Sequence, residues 1–452
     1  MPTGPRPSVE AYAERRARIA NRLGSESGAL LLYGGALQTR ANDTEFRFRP
    51  DSDFHYLTGL EEPGAVMLLV PGAQGGDPRF VLFVRERDRD AEIWSGRRIG
   101  PTGAIEQFGA SEAFALAELD ERLPALLDGC ETVYLPVGRW PTLDASLAKA
   151  VSSLRRRNRE GRTPPLRYGE AADLVGEDRI LKDAAGLASL RRAIDLSAAG
   201  HVAAMRQAKP GMWEYEIEAL LEYEFRRRGS SGSGYGSIVG SGDNATVLHY
   251  VDNCDQMRDG EVLLIDAGAE WDYFSGDITR SWPVSGRFTG EQRAVYEVVL
   301  AANLAGIERA VVGSNIDAIH ETCLDVLCEG MAELGLFESL AGLGAAAAAQ
   351  IRDEALYKRY YMHRTSHWLG IDVHDAGRYT LGGVPRPLAP GHVLTVEPAL
   401  YIAADASDAP ARFRGLGVRI EDDVLVRAEG PEILSAAAPK QIAELEAIIG
   451  RG

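Results

Sequence analysis

Four acidic residues, Asp266, Asp277, Glu397 and Glu421, stand in segments that read as buried strands or tight turns. Burying one ionised carboxylate costs several kcal/mol unless a cation or a hydrogen-bond donor compensates it, so four of them demand a shared positive partner. With His367 as a fifth residue of metal-ligand type, a pair of divalent ions is the simplest such partner. The chain therefore reads first as a two-metal hydrolase.

At 452 residues the chain exceeds the roughly 250 to 300 residues over which one core can grow, so two domains are expected. A composition of 45% hydrophobic and 25% charged residues is that of a soluble globular protein. The net charge of −17 argues against nucleic acid as a partner, because phosphate binding needs a concentrated positive field. One basic run, Arg155, Arg156, Arg157, Arg159 and Arg162, reads as a solvated helix end. Four cysteines, Cys130, Cys254, Cys323 and Cys328, form no disulfide framework and suggest a reducing compartment. Cys323 and Cys328 lie on an apparent helix without partners of zinc-ligand spacing and read as buried thiols. The stretch from Met1 to Gly24 is rich in Arg and Glu and lacks an apolar signal core, and no segment approaches the roughly 18 to 20 apolar residues of a membrane span. A cytoplasmic protein without a membrane partner is expected.

Strands at 29–33, 65–70, 80–84 and 132–135 alternate with polar or helical stretches, which suggests an N-terminal α/β domain. A polar segment rich in Pro and Gly, 158–178, reads as a linker, dividing the chain into 1–178 and 179–452. Beyond it Leu187, Leu190 and Ile194 keep helical spacing, as do Ile217, Leu220, Leu221 and Phe225 after Pro210 and Gly211. A Gly and Ser stretch, 229–242, precedes strands expected at 261–267, 272–282, 393–402 and 417–426, with a long helical region at 290–334 between the second and third. Two helix-plus-strand units on one sheet are consistent with this order.

Asp266 ends an apolar strand and Asp277 follows eleven positions later, so a short hairpin would set the two carboxylates side by side on neighbouring strands. Either Asp alone would more simply cap a turn. Glu397 and Glu421 read as mid-strand residues, where glutamate is a poor fit. A salt bridge to Arg419 is the plain alternative for Glu421. The segment from His363 to Asp375 holds His363, His367 and His374, three of the eight histidines within twelve residues. His55, His201, His320 and His392 stand without companions and read as structural, and His249 lies between the two cases. Four carboxylates to one imidazole form a hard, oxygen-rich set that suits Mn²⁺ and admits Co²⁺, Fe²⁺ or Zn²⁺. No nucleophile elbow, phosphate loop or dinucleotide fingerprint competes with it.

The ordered set Asp266, Asp277, His367, Glu397 and Glu421 resembles the ligand set of the pita-bread metallopeptidases, the family of methionine aminopeptidase, prolidase and aminopeptidase P. The segment from His363 to Asp375 is similar to the signature of the last two. Asp51 to Gly59, Glu92 to Arg98, Ile238 to Gly242, Leu248 to Tyr250 and Arg414 to Asp423 look like bacterial aminopeptidase P in particular. The resemblance covers nearly the whole chain. It implies an N-terminal α/β domain serving oligomerisation and substrate access, followed by a pita-bread (creatinase/aminopeptidase-like) α+β catalytic domain. It also implies two metal ions bridged by Asp277 and Glu421, with Asp266 completing one shell and His367 with Glu397 the other.

The activity implied is removal of the first residue from peptides with proline second, through a hydroxide bridging the two ions, with Glu397 carrying the proton to the leaving nitrogen. By the same resemblance His249 and His374 shape the proline pocket, His363 contacts the substrate beyond proline, and Arg419 and Tyr401 orient Asp266. Trp94 would close a neighbouring subunit's site in a homodimer or homotetramer, or else be a core aromatic. Arg364, Thr365 and Ala399 depart from the family pattern, at Gly, Leu and Gly respectively, and none is a ligand. Prolidase, which cleaves Xaa-Pro dipeptides only, is the alternative activity, and a non-catalytic binding protein on the same fold is the alternative class.

Overall fold

The computed structural model describes residues 7–25, 27–72 and 76–451. They form two compact units, Pro7–Arg179 and a second that begins at Ile180. In the first unit the apolar strand Gly28–Tyr33 lies inside a six-stranded sheet, antiparallel to Val66–Val70 and parallel to Thr132–Leu135. Val66–Val70 continues antiparallel to Arg79–Val84, which runs parallel to Glu112–Ala115. Leu31, Leu68, Val81 and Val133 pack in the same core cluster as Leu147, Val151 and Leu154 of the helix Pro141–Arg156.

The segment 158–178 is not the free linker expected of it. Arg167–Glu170 adds an edge strand parallel to Thr132–Leu135, and a short helix, Val175–Arg179, follows. The strand is short and mostly exposed, as an edge strand of polar residues is, so it left no apolar alternation to read.

In the second unit, helices Ala184–Gln207 and Glu214–Arg227 bury Leu190, Ile194, Ile217, Leu221 and Phe225. The region 290–334 is two helices rather than one, Gly290–Arg309 and Ile316–Leu334, parted at Gly313, whose φ is 82°, and capped by Asn315. The strands do not share one sheet. Ile238–Ser241, Val262–Asp266 and Thr279–Pro283 form one antiparallel sheet, Val393–Val396 pairs with Asp422–Arg427, and Ala399–Ile402 pairs with Leu416–Arg419.

Glu397 and Glu421 are accordingly not mid-strand. Glu397 sits in the two-residue break between Val393–Val396 and Ala399–Ile402, where Pro398 has no N–H to continue a ladder. Glu421 sits in the matching break between Leu416–Arg419 and Asp422–Arg427, and its N–H reaches sideways to the Thr279 carbonyl at 3.1 Å. Both breaks free a side chain to turn out of the pleat. The expected strand 272–282 is likewise interrupted, because Asp272 and Tyr273 take positive φ in a tight turn between Ala269–Trp271 and Phe274–Ser275. Among the described residues no helix is long and apolar enough to cross a membrane.

Two glycines bring the aspartate loops together. A Cβ on Gly268 would lie 1.8 Å from the Gly276 carbonyl oxygen, and one on Gly276 would meet Ser197 Oγ at 2.5 Å and Ile194 Cα at 3.1 Å. Room at Gly268 could come only from parting the segments that carry Asp266 and Asp277, and room at Gly276 only from lifting the Asp277 loop off the helix Ala184–Gln207. Gly268→Ala should destabilise the protein by about 1–3 kcal/mol in a denaturant titration, and a change under about 0.5 kcal/mol would show that the two segments separate freely.

Candidate active site

Asp266 ends Val262–Asp266, with Thr279 opposite it in register, and Asp277 stands two residues before that partner. The aspartates are thus set by one strand pairing, although Asp277 lies in a loop rather than on a facing strand. A residue that the sequence reading passed over joins them. The Tyr235 hydroxyl lies 2.7 Å from Asp266 Oδ1 and 2.6 Å from Asp277 Oδ1. One phenolic proton serves two carboxylates there, and burial with the neighbouring Asp266 and Asp277 charges drives the Tyr235 pKa well above its ordinary value.

His367 is brought in by backbone pairing. The Thr395 N–H donates to the His367 carbonyl at 3.0 Å, the Glu397 N–H to Thr365 at 2.8 Å and the Leu369 N–H to Val393 at 3.1 Å. This zip lays the histidine segment along Val393–Val396 and places His367 Nε2 3.7 Å from Glu397 Oε1 and 3.3 Å from Asp277 Oδ2. Its Nδ1 lies 3.0 Å from the Trp368 carbonyl, which can only accept, so Nδ1 carries the hydrogen. In the neutral ring the Nε2 lone pair then faces the carboxylates. Asp277, His367 and Glu421 each offer a ligand atom, all within 4.8 Å of one another.

Arg419 does not pair with Glu421 as the plain alternative supposed. It donates to Asp266 Oδ2 at 2.6 Å, to the Tyr401 hydroxyl at 2.7 Å and to Thr279 Oγ1 at 3.0 Å. Thr279 in turn donates to Glu421 Oε2 at 2.7 Å. Tyr401 completes the line by donating to His363 Nε2 at 3.0 Å, with His363 Nδ1 on the Arg364 carbonyl. Burial, reinforced by the Arg419 charge, pushes His363 down to about 4, so it stays neutral. Asp423, also unmarked by the sequence reading, accepts the Asp277 N–H at 3.1 Å.

These residues line one cavity of about 960 Å³. Asp266, Asp277, His367, Glu397, Glu421, His249, His363, His374, Tyr401 and Arg419 all reach it. His374 packs edge-on against His367, ring centres 4.4 Å apart. His320, read as companionless, hydrogen-bonds Thr365 Oγ1 through Nδ1 at 2.8 Å, and Tyr361 reaches the same hydroxyl at 2.6 Å. Trp94 belongs to the first unit, where the short helix Arg89–Ser95 leaves it 90% exposed, so it is no core aromatic.

The electrostatics of the cluster follow from crowding. Burial, with the nearby Asp277 and Asp266 charges, lifts Glu397 to about 7 against the pull of His367 and Arg419. Glu421 is driven well above the carboxylate range by burial and by Asp277 and Glu397. Burial opposes charging of His367, but its hydrogen bond and charge pairing with Asp277 win and raise it to about 9.

Residues 188–428 match the model of metallopeptidase family M24, and residues 12–134 match the aminopeptidase P N-terminal domain. The chain is 38% identical to the Xaa-Pro aminopeptidase of Escherichia coli (strain K12), with 98% of each chain covered. Its fold is similar to that of Pseudomonas aeruginosa aminopeptidase PepP, with a TM-score of 0.92, 42% identity and 98% of each chain covered. It is equally similar to zinc-substituted E. coli aminopeptidase P solved in complex with product, with a TM-score of 0.92, 38% identity and 98% of each chain covered. The chain belongs to metallopeptidase family M24. Its fold is the expected one, an aminopeptidase P N-terminal domain ahead of a pita-bread catalytic domain.

Glu397 offers a direct check on this crowding. A carboxyl whose folded pKa, about 7, exceeds its unfolded value contributes stability that is present at low pH and lost as pH rises through about 7. In metal-free protein, wild type should match Glu397→Gln in melting temperature below about pH 4.5, fall progressively below it between about pH 4.5 and 7, and keep a constant deficit above that. A difference independent of pH would mean that Glu397 titrates normally.

Proposed function

We propose that this chain is an Xaa-Pro aminopeptidase with two divalent metal ions, releasing the first residue of peptides whose second residue is proline. The observation that carries the reading is the convergence of Asp277, His367 and Glu421 within 4.8 Å, flanked by Asp266 and Glu397 in one cavity. The donor set fits such ions: four carboxylates, of which Asp277, Glu397 and Glu421 have depressed acidity, and a histidine whose ring orientation leaves Nε2 toward them. Asp277 and Glu421 would bridge the pair, Asp266 complete one shell, and His367 with Glu397 the other. Mn²⁺ is the expected metal, with Co²⁺, Fe²⁺ or Zn²⁺ as substitutes. When bound, the pair supplies Lewis acidity at the scissile carbonyl and a nucleophilic water at neutral pH.

The chain's own residues do the rest. Glu397 takes the proton of the attacking water and passes it to the proline nitrogen as the amide bond breaks. His249 and His374 shape the proline pocket and donate to the developing oxyanion. His363, held by Tyr401 and the Arg364 carbonyl, contacts the peptide beyond proline. Arg419 fixes Asp266 directly and Tyr401 fixes Arg419, so Asp266 is oriented for its metal and the free amine of the substrate.

The domain of residues 1–178 serves assembly and access, and that of 179–452 catalysis. The protein works in the cytoplasm as a homodimer or homotetramer, in which the exposed Trp94 closes a neighbouring subunit's cavity. Mn²⁺-supplemented hydrolysis of an Xaa-Pro-Xaa tripeptide should yield the free first amino acid and a Pro-Xaa dipeptide. Activity confined to Xaa-Pro dipeptides would make the protein a prolidase instead. Glu397→Ala should lower kcat by about 10²–10⁴ with metal resupplied, and near-normal turnover would remove Glu397 from the proton path.

A further inference from the structure

Two arginines line the substrate cavity, Arg364 and Arg419. Arg419 is 4% exposed and spends its donors on Thr279, Tyr401 and Asp266. Arg364 is 62% exposed and touches Asp317 through Nη2, at the first turn of the helix Ile316–Leu334. A guanidinium carries five N–H donors in a planar fork, so one contact leaves most of its bonding capacity open. Asp317 holds one edge of the fork in place, and the rest faces a cavity whose other ionisable groups are chiefly carboxylates and histidines.

The position of Arg364 along the peptide path follows from its neighbour. His363 Nδ1 lies 3.6 Å from Glu397 Oε2 and bonds the Arg364 carbonyl at 2.8 Å. Arg364 is therefore one residue beyond a side chain already against the group that protonates the proline nitrogen. An extended peptide advances about 3.3–3.6 Å per residue, so the carboxylate of a third residue lies about 7 Å past the scissile bond. Arg364, next to His363 and lining the same cavity, is placed to meet it.

We propose that Arg364 is a specificity-determining residue that binds a carboxylate on the residue following proline, either the terminal carboxylate of a tripeptide or an Asp or Glu side chain. The inference rests on the Xaa-Pro aminopeptidase reading and names a preference of that same site. Charge pairing with a planar fork explains how a protein of net charge −17 admits an anionic end beside its own acidic centre.

The test compares kcat/KM for three peptides, Ala-Pro-Ala as free acid, Ala-Pro-Ala amide and Ala-Pro-Glu amide, in wild type and in Arg364→Gln. Wild type should favour at least one carboxylate-bearing peptide over the neutral amide by about fivefold to tenfold, chiefly through KM. Preference for the free acid alone assigns the terminal carboxylate, and preference for the Glu peptide alone assigns the side chain. In Arg364→Gln the ratio should collapse toward one, and in Arg364→Lys, which keeps the charge but not the fork, it should lie between. The ratio within each variant is insensitive to general damage. Cleavage of all three peptides without preference in wild type, or an unchanged ratio in Arg364→Gln, overturns the proposal while leaving the aminopeptidase reading intact. Failure to cleave any of the three overturns both.

Discussion

Carboxylate repulsion inside one cavity is the constraint around which the catalytic unit is arranged. Burial raises the cost of ionising Asp277, Glu397 and Glu421, and the neighbouring charges of the cluster, Asp266 among them, add to that cost. The protein can place them together only by holding protons on some of them or cations among them. Everything that fixes their geometry works against this repulsion: the strand pairing that ends at Asp266, the Tyr235 hydroxyl shared by both aspartates, and the Gly268 and Gly276 contact that admits no side chain.

Two adjacent residues show that the missing compensation is selective. Asp422, next to Glu421 in sequence, is fully buried yet paired with Arg280 at 2.7 Å, Lys440 at 2.6 Å and Ser435 at 2.7 Å. Burial alone would raise its pKa, but Arg280 and Lys440 outweigh that and hold it well below the ordinary range. Glu421 faces the cavity with a threonine hydroxyl as the hydrogen-bond donor to its carboxylate and, among the described residues, no guanidinium or ammonium bonded to that carboxylate. Of these two neighbours, the chain gives its own cations to the structural carboxylate and a hydroxyl to the one that faces the cavity. Removing both cations of the Asp422 group would leave a buried charge unpaired, a costly defect directly behind the site.

Much of this was readable in the sequence because the governing pattern is local. An acid in a run of Val, Leu and Ile is conspicuous, and so are three histidines crowded between His363 and His374. Strand ends were less legible. Glu397 and Glu421 occupy breaks whose causes are a proline and a sideways hydrogen bond to Thr279, and only the second of these is invisible in one dimension. Tyr235 and Thr279 were passed over for the same reason: a tyrosine in a Gly and Ser stretch, or a threonine in a strand, acquires its role from partners dozens of residues away. The edge strand Arg167–Glu170 was mistaken for linker because an exposed polar strand carries no hydrophobic period.

Metal stoichiometry tests the central claim most directly. Purified protein loaded with Mn²⁺, dialysed against metal-free buffer at pH 8 and analysed by inductively coupled plasma mass spectrometry should retain close to two ions per chain. Asp277→Asn, which removes a carboxylate from the middle of the cluster, should lower that content while the circular dichroism of the protein is preserved. Wild-type protein that retains no metal under these conditions while remaining folded and fully active would contradict the account, because four crowded carboxylates would then be neutralised by protons alone.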